Sequence, residues 1–353
     1  MPFHWKKRLV GLDIGSETIK AAEISKHKKK LCLKNFGIRE TPQRAFENGV
    51  LKDSDVVAEA IAQLFEKNNF RQKEVALSIS GLGVIVKRIK LPVMSEDHIF
   101  QAIQFESEQY LPYQIDEVDF DFQVLGKEKD NPEMLSVVLV AAKKKLVKTY
   151  MDTALKAGLS PRLINLDTFA LQNMFQTTYG STLAPVALMD IGSTKTSLSI
   201  IFNGKPEFMI DIFIGCRQIT EKIASAMNCS METARELASA HSDAKLPAAM
   251  ASPDKISEII RPEISSWHSE IKDAIDFFNS SHPDQNVSHA ALSGGGANIA
   301  EFQRLLARKG SMNISIFDPL SHMTVSPGMR ADFPRERASR QGAICMGLGM
   351  ERA

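Results

Sequence analysis

Four residues, Asp-Ile-Gly-Ser, occur twice in the chain, at 13–16 and again at 190–193. Each copy follows a short apolar run, "RLVGL" or "PVALM", and precedes residues that alternate with the period of a strand. A glycine at such a turn lets successive N–H groups point one way, where they can cradle phosphate oxygens. A carboxylate at the strand end can hold Mg²⁺ through water, as that cation prefers. A single copy would pass for an ordinary α/β turn. Two copies could grip one nucleotide's phosphates from both sides, with Asp13 and Asp190 toward the metal. A third stretch, "AALSGGGANIAEFQRLLARKG", sets Gly294, Gly295 and Gly296 between a strand and a helix expected from Asn298 to about Lys309. Asn298 with Glu301 makes a capping-box variant, Gly310 is a natural stop, and the helix N-terminus favours anions. The Walker pattern is absent, and Ile299 takes the place of the last glycine of G-x-G-x-x-G, which excludes P-loop and Rossmann readings.

The elements that must position these turns are legible in outline. Each half opens as a three-stranded antiparallel meander whose first turn carries the repeated motif. In the second half Asn203-Gly204 gives a short hairpin signal before "EFMIDIFIG"; in the first, a basic tip at 26–30 precedes "LCLKNFGI". That tip reads as a solvated hairpin end, with contact to anionic lipid the alternative. A helix follows over 54–68, capped by Asp53 or Ser54. Later, Ile256, Ile260, Ile264, Trp267, Ile271, Ile275 and Phe278 recur at helical spacing, with Pro262 either starting or kinking that helix. The polar stretch 240–253 reads as a loop. Residues 82–165 interrupt the duplication with the helix "SEDHIFQAIQFESEQYL", the extended acidic piece "YQIDEVDFDFQVL", the strand "MLSVVLVAA" and a second helix. Residues 226–285 add helices to the second half.

Composition narrows the classes. Lys+Arg at 43 against Asp+Glu at 42 gives a net charge of +1, without the basic excess expected of a nucleic-acid binder. No apolar run reaches membrane-spanning length, and "MPFHWKKRLV" lacks a signal-peptide core. The four cysteines form no C-x-x-C, which suits a reducing cytoplasm and argues against a cysteine metal site.

The two D-x-G turns and the S-G-G-G loop, in this order, resemble the phosphate-1, phosphate-2 and adenosine motifs of the actin-like ATPase superfamily. "RQGAICMGLGMER" is similar to that superfamily's second connecting helix. The segments "LPVMSEDHIFQAIQFESEQYLPYQIDEVDFDFQVL" and "VVLVAAKKKLVKTYMDTALKAGLSPRLINLDTFAL" resemble the PilM family of type IV pilus assembly proteins more closely than FtsA. The resemblance covers nearly the whole chain. It implies an α/β, actin-like ATPase fold of two related ribonuclease-H-like domains with a nucleotide cleft between them. The first domain would span 1–81 and 166–184, with 339–353 returning to it and 82–165 as an FtsA-type insert. The second would span 185–225 and 286–338, with 226–285 as a helical subdomain.

Carried across, the resemblance implies ATP and Mg²⁺ as cofactors, with Asp13 and Asp190 as metal ligands through water. Gly15, Ser16, Glu17 and Thr18 would form one phosphate turn, with Lys20 nearby. Gly192, Ser193, Thr194, Lys195 and Thr196 would form the other, and Gly294, Gly295, Gly296 and Asn298 would line the adenosine. Two departures stand out. The family's "A-E-x-x-K" segment is here 234–238, where neither the Glu nor the Lys is in place and Arg235 or Glu236 is the candidate substitute, and its glycine pair is Gly215-Cys216. Where hydrolytic members carry a water-orienting Glu or Gln, the candidate is the shorter Asp167, so turnover is expected to be slow or absent. The implied partner is the cytoplasmic N-terminal tail of the inner-membrane protein PilN, in a groove beside the insert where Ile115, Val118, Phe120, Phe122, Tyr110 and Tyr113 gather. Other platform and motor components would follow, and self-association is compatible with the resemblance. The protein would be cytoplasmic and held at the inner membrane by partners. The rival readings are a small-molecule kinase of the same fold, with Asp116, Glu117, Asp119 or Asp121 as source of a base, and an FtsA-like filament former.

Overall fold

The computed structural model describes residues 8–27, 30–128, 130–243, 253–309 and 312–352. The first meander is β1 (Val10–Ile14), β2 (Thr18–His27) and β3 (Lys30–Glu40). All five residues of β1 are buried, as a strand covered on both faces demands. A two-strand ribbon of β4 (Phe46–Glu47) and β5 (Val50–Leu51) leads to α1 (Ser54–Lys67). Asp53 is its N-cap: Oδ1 accepts from the amides of Asp55 and Val56, both at 3.2 Å. Strand β6 (Glu74–Ile79) then runs parallel to β1.

The insert follows. It contains β7 (Val84–Pro92), α2 (Glu96–Phe105), the single turn α3 (Ser107–Tyr110), β8 (Val118–Lys127) and β9 (Met134–Lys143), with the sheet ordered β7-β9-β8. The helix expected over the acidic segment is thus broken at Glu106, and β7, absent from the sequence reading, supplies the far edge. Its residues Lys87, Arg88 and Lys90 interrupt the apolar pattern that would have marked a strand. The separate sheet is narrower than 82–165. Helix α4 (Lys144–Lys156) packs Tyr150 and Ala154 into the core beneath α1, and β10 (Ser160–Leu166) pairs with β6 in the first sheet.

Helix α5 (Asp167–Tyr179) crosses to the second half, which opens with β11 (Val186–Ile191), β12 (Thr196–Phe202) and β13 (Lys205–Ile212). Asn203 and Gly204 at the β12–β13 turn both have positive φ, 50° and 75°, as the hairpin signal requires. Helices α6 (Cys216–Met227), α7 (Met231–Asp243) and α8 (Pro253–Ser281) come next, then β14 (His289–Ser293), α9 (Ala300–Lys309), β15 (Asn313–Ile316) and β16 (Met323–Val325). Pro262 lies inside α8 rather than at its first turn. Residues 240–243 of the expected loop are helical, and 244–252 lie outside the described residues, as does Gly310. Helices α10 (Arg335–Gln341) and α11 (Ala343–Gly349) close the chain.

The two sheets repeat one plan. The first is ordered β10-β6-β1-β2-β3-β16 and the second β13-β12-β11-β14-β15, so each sets an antiparallel meander beside two parallel strands. Between the sheets, α5 and α11 share one core with Leu9, Ala22 and Ile24 from one side and Val186, Leu188 and Ile201 from the other. A Cβ on Gly347 would lie 2.0 Å from the Ala170 carbonyl oxygen, so glycine is what lets these helices meet.

Candidate functional site

The duplicated turns share one geometry. In the first, the Gly15 amide donates to the Thr18 carbonyl at 3.1 Å; in the second, the Gly192 amide donates to that of Lys195 at 2.9 Å. Each is held from the end of its own meander. Thr41 donates from Oγ1 to the Gly15 carbonyl at 2.7 Å and from its amide to that of Glu17 at 3.0 Å. The first amides of α6, on Cys216 and Arg217, donate to the Gly192 and Ser193 carbonyls at 3.0 and 2.9 Å. A Cβ on Gly215 would lie 2.3 Å from the Ser193 oxygen, which explains why one glycine of the expected pair persists.

The turns face each other. Ser193 Oγ donates to Glu17 Oε2 at 3.1 Å, and Arg235 from α7 forms an ion pair with Glu17. Behind this contact lies a buried charge cluster. Asp13 accepts from Lys20 Nζ at 2.8 Å across the β1–β2 ladder. Lys195 Nζ lies 3.1 Å from Asp211 Oδ1 and 3.7 Å from Asp167 Oδ2, and also donates to Ser197 Oγ. Burial pushes the Asp190 carboxyl up to about 6; Lys20 opposes the rise and the charge of Asp13 adds to it. Burial works against the charge on Lys195, but Asp211, Asp167 and Asp190 together outweigh it and raise its pKa. Four aspartates from four separate strand or helix ends therefore sit within electrostatic reach of two ammonium groups.

The glycine loop closes the arrangement. Gly294 has φ 85°, and a Cβ there would lie 2.9 Å from Asp190 Oδ1 and 2.5 Å from the Ile191 oxygen. Its amide donates to the Arg340 carbonyl at 3.1 Å, tying the loop to α10. Gly295 to Asn298 form a 3-10 turn; the side chains of Asn298 and Glu301, with the capping box expected of them, lie outside the described residues. Cys216 fills the space beside Gly296, and burial first, then Glu17 and Asp190, pushes its thiol up to about 12, so it stays protonated.

Of the residues singled out by sequence, Asp13, Gly15, Glu17, Lys20, Asp190, Gly192, Ser193, Lys195, Gly294 and Asp167 converge here. Ser16 and Thr18 are half-buried in the first turn, and Thr194 lies against Gly49 of the β4–β5 ribbon. Thr196 is fully buried and donates to the Ile214 carbonyl at 3.0 Å, so it braces the turn from behind. Gly296 packs against Ile191, while Gly295 meets nothing and is exposed. Asp116, Glu117, Asp119 and Asp121 lie in the insert, on β8 and the turn before it, away from this cluster. Sequence reasoning missed Asp211 and Ser80. Asp211 Oδ2 accepts from the Gly81 amide at 2.9 Å, and Ser80 Oγ donates to Asp167. Their signal was weak, because a lone acid in an apolar strand is read as a solvated position.

A family model described as "Type IV pilus assembly protein PilM" matches residues 11–353. The chain belongs to that family. Its role lies in type IV pilus assembly. A solved PilM-PilN type IV pilus biogenesis complex is similar to this PilM-family chain, with a TM-score of 0.84 at 24% identity over 98% of each chain. The ethanolamine utilization protein EutJ from Carboxydothermus hydrogenoformans is similar at a TM-score of 0.59 and 12% identity, covering 97% of this chain and 89% of its own. MreB5 of Spiroplasma citri, solved with ADP, is similar at 0.52 and 11%, covering 88% and 91%. The fold is that of the actin-like ATPases. Among the described residues, no helix is long and apolar enough to cross a membrane.

Proposed function

We propose that this PilM-family protein is an ATP-binding scaffold of the inner-membrane platform that assembles type IV pili. The observation that carries the nucleotide reading is the convergence of Asp13, Asp167 and Asp190 on Lys20 and Lys195, behind two turns of equal geometry. Among the described residues no three His, Cys, Asp or Glu side chains are grouped to enclose a metal directly. A buried carboxyl held near 6, with the Asp13 carboxylate close by, fits a Mg²⁺ bound through water, which would supply charge neutralisation for phosphate oxygens. Asp13 and Asp190 would face that ion, the two turns would hold the phosphates, and the glycine loop would take the adenosine. MreB5, a protein of the same fold, was solved with ADP.

The partner on this reading is the N-terminal cytoplasmic tail of PilN, as the solved PilM-PilN complex suggests. The insert offers a place for it. Strand β8 is one of the two edge strands of its sheet and alternates exposed Asp119, Asp121 and Gln123 with half-buried Phe120, Phe122 and Val124. Phe100 stacks on Phe120 at 4.9 Å, Tyr113 donates to the Leu82 carbonyl at 3.2 Å, and Lys143 sits 4.3 Å over the Tyr113 ring. Leu82 and Phe105 stand exposed at 66% and 86%. An edge strand beside apolar positions suits an extended peptide docked by backbone hydrogen bonds.

The nucleotide's state would reach the insert through its root. Ser80 and Gly81, where the chain leaves β6 for the insert, are held by Asp167 and Asp211, and both acids share Lys195 of the second phosphate turn. Arg88 of β7 pairs with Glu207, and Lys205 donates to the Leu125 carbonyl, so insert and second half touch directly. Asp167, engaged by Ser80 and Lys195, is not free to orient water, which supports slow or absent turnover.

Within this reading the domains divide as the resemblance implies, except that 144–165 pack on the first sheet and the insert proper is 84–143. Calorimetry tests both parts. The protein should bind MgATP, and a synthetic tail peptide should bind the full chain but not a variant lacking 84–143 that still binds MgATP. Absence of MgATP binding by the full chain overturns the nucleotide site, and equal peptide binding by both proteins moves the partner elsewhere.

A further inference from the structure

Charge is unevenly placed along this nearly neutral chain. The first 40 residues hold ten Lys or Arg and four Asp or Glu, against totals of 43 and 42, so the remainder is net acidic. The fold gathers part of that excess at one place, remote from the cleft. Arg8 precedes β1 and forms a lone antiparallel bridge with Arg352. Lys34 is the extra residue of a bulge in β3: Glu23 opposes Asn35 and Ile24 opposes Leu33, leaving Lys34 unopposed and exposed. Arg71 sits in the loop after α1. That loop is fixed on both sides, by Asn35 Nδ2 donating to the Asn68 carbonyl at 2.7 Å and Gln72 Nε2 donating to the Arg8 carbonyl at 2.8 Å.

These segments enclose an open depression of about 630 Å³ lined by Arg8, Lys34, Arg71, Asn35, Asn69 and Gln72, with Glu23 the one acid among the described lining residues. Among the described residues, Arg8, Lys34 and Arg71 have no ion pair with a carboxylate. Arg352 behind Arg8 is held below the usual guanidinium range, by burial first and by the Arg8 charge second. Glu351 offsets part of this effect, and two arginines remain side by side behind the depression. Lys26 and Lys30, at the end of the same β2–β3 ribbon, are exposed as well.

We propose that this depression and the adjoining ribbon end form an electrostatic docking surface for the phosphate headgroups of an anionic bilayer. The lining decides for lipid over an acidic peptide. Every described lining residue is charged or an amide, and among the described residues the exposed large apolar side chains, such as Leu82, Phe100 and Phe105, lie elsewhere. A bound peptide draws most of its affinity from a buried apolar or aromatic anchor, whereas a headgroup layer needs only cations spread over a face. The contact is independent of the nucleotide and partner sites and adds direct membrane contact to attachment through a protein.

Flotation of the full chain tests this with phosphatidylcholine vesicles and with vesicles carrying roughly one-third phosphatidylglycerol. Binding should require the anionic lipid and weaken about tenfold or more between roughly 50 and 300 mM salt. The variant Arg8→Glu/Lys34→Glu/Arg71→Glu should lose at least about tenfold in affinity. A charge-matched control, Lys127→Glu/Lys145→Glu/Lys148→Glu, alters exposed lysines of the insert and α4 and should stay within about threefold of the parent. If the first triple variant does not fold, the single exposed changes Lys34→Glu and Arg71→Glu carry the test, each with a loss of about threefold or more. Equal binding to neutral vesicles, equal loss in both triples, or binding of a polyglutamate peptide without binding of anionic vesicles would overturn the proposal.

Discussion

The two Asp-Ile-Gly-Ser turns are the same in backbone and differ in how their acids are balanced. Seven residues after the acid, the first turn has Lys20 and the second has Ser197, each paired with its acid across the ladder. Asp13 is thereby matched by an ammonium at 2.8 Å, whereas Asp190 faces a hydroxyl on one side and Ser293 on the other. The second turn has a lysine, Lys195, but spends it on Asp211 and Asp167. One copy is thus balanced within its own hairpin, and the other has its balance displaced toward the root of the insert. A duplicated fold preserves backbone geometry because the turn is local. Charge partners are free to diverge, because they are set one side chain at a time.

The comparison predicts its own largest effect at Asp190. Asp190→Asn should weaken MgATP binding by roughly 10–100-fold, the range expected for losing a charge-assisted contact. Asp13→Asn, which also frees Lys20 to meet a phosphate, should cost less. Titration calorimetry of the two variants checks the order, and unchanged affinity in both would remove these carboxylates from the site.

A second effect, of intermediate size, should appear at Asp211. Asp211→Asn leaves Lys195 with its weaker partner and alters the bond to the Gly81 amide. With both side chains of the ion pair about one-fifth exposed, the loss should be about 1–3 kcal/mol in urea unfolding, below the full value for a buried pair. The same change should abolish any effect of MgATP on tail-peptide affinity. If wild type shows such coupling and the variant retains it, the path does not run through Asp211.

The smallest effect is in the pH dependence of the ligand-free protein. Asp190 titrates near 6 in the fold against an ordinary value of 3.8, so the folded state holds this proton more tightly than the unfolded one. Its ionisation therefore works against folding. The stability it contributes in acid is lost as pH rises from about 4 to about 6 and stays absent above that. Asp190→Asn should accordingly gain on wild type across that window, by on the order of 1–3 kcal/mol at neutral pH. Urea midpoints of the two proteins at pH 4 and pH 7 report the difference. A constant gap would place Asp190 in water, as unconstrained as an ordinary surface acid.

Much of this is legible in the sequence alone. The duplication, both meanders, the Asn203-Gly204 hairpin and the Asp53 cap are local, carried by residues within a turn or two of each other, and the fold bears them out. Strand β7 was missed because Lys87, Arg88 and Lys90 serve ion pairs and the carbonyls at the end of α3 instead of an alternating face. Residues 160–165 read as part of the insert because nothing local reveals pairing with β6, more than 80 positions earlier.

The sequence by itself determined the repeated turns, the acids they carry and the glycines that let the backbone approach, since these depend on backbone sterics at single positions. Only the tertiary structure decided which ammonium answers which carboxylate. Lys195 was legible as a member of the second phosphate turn, but not as the link between that turn and Gly81 at the insert's root. The same holds for Arg8, Lys34 and Arg71, which stand on three separate segments and share one depression. Coulomb energy depends on distance and burial, and for residues far apart along the chain both are fixed only when the sheets have packed.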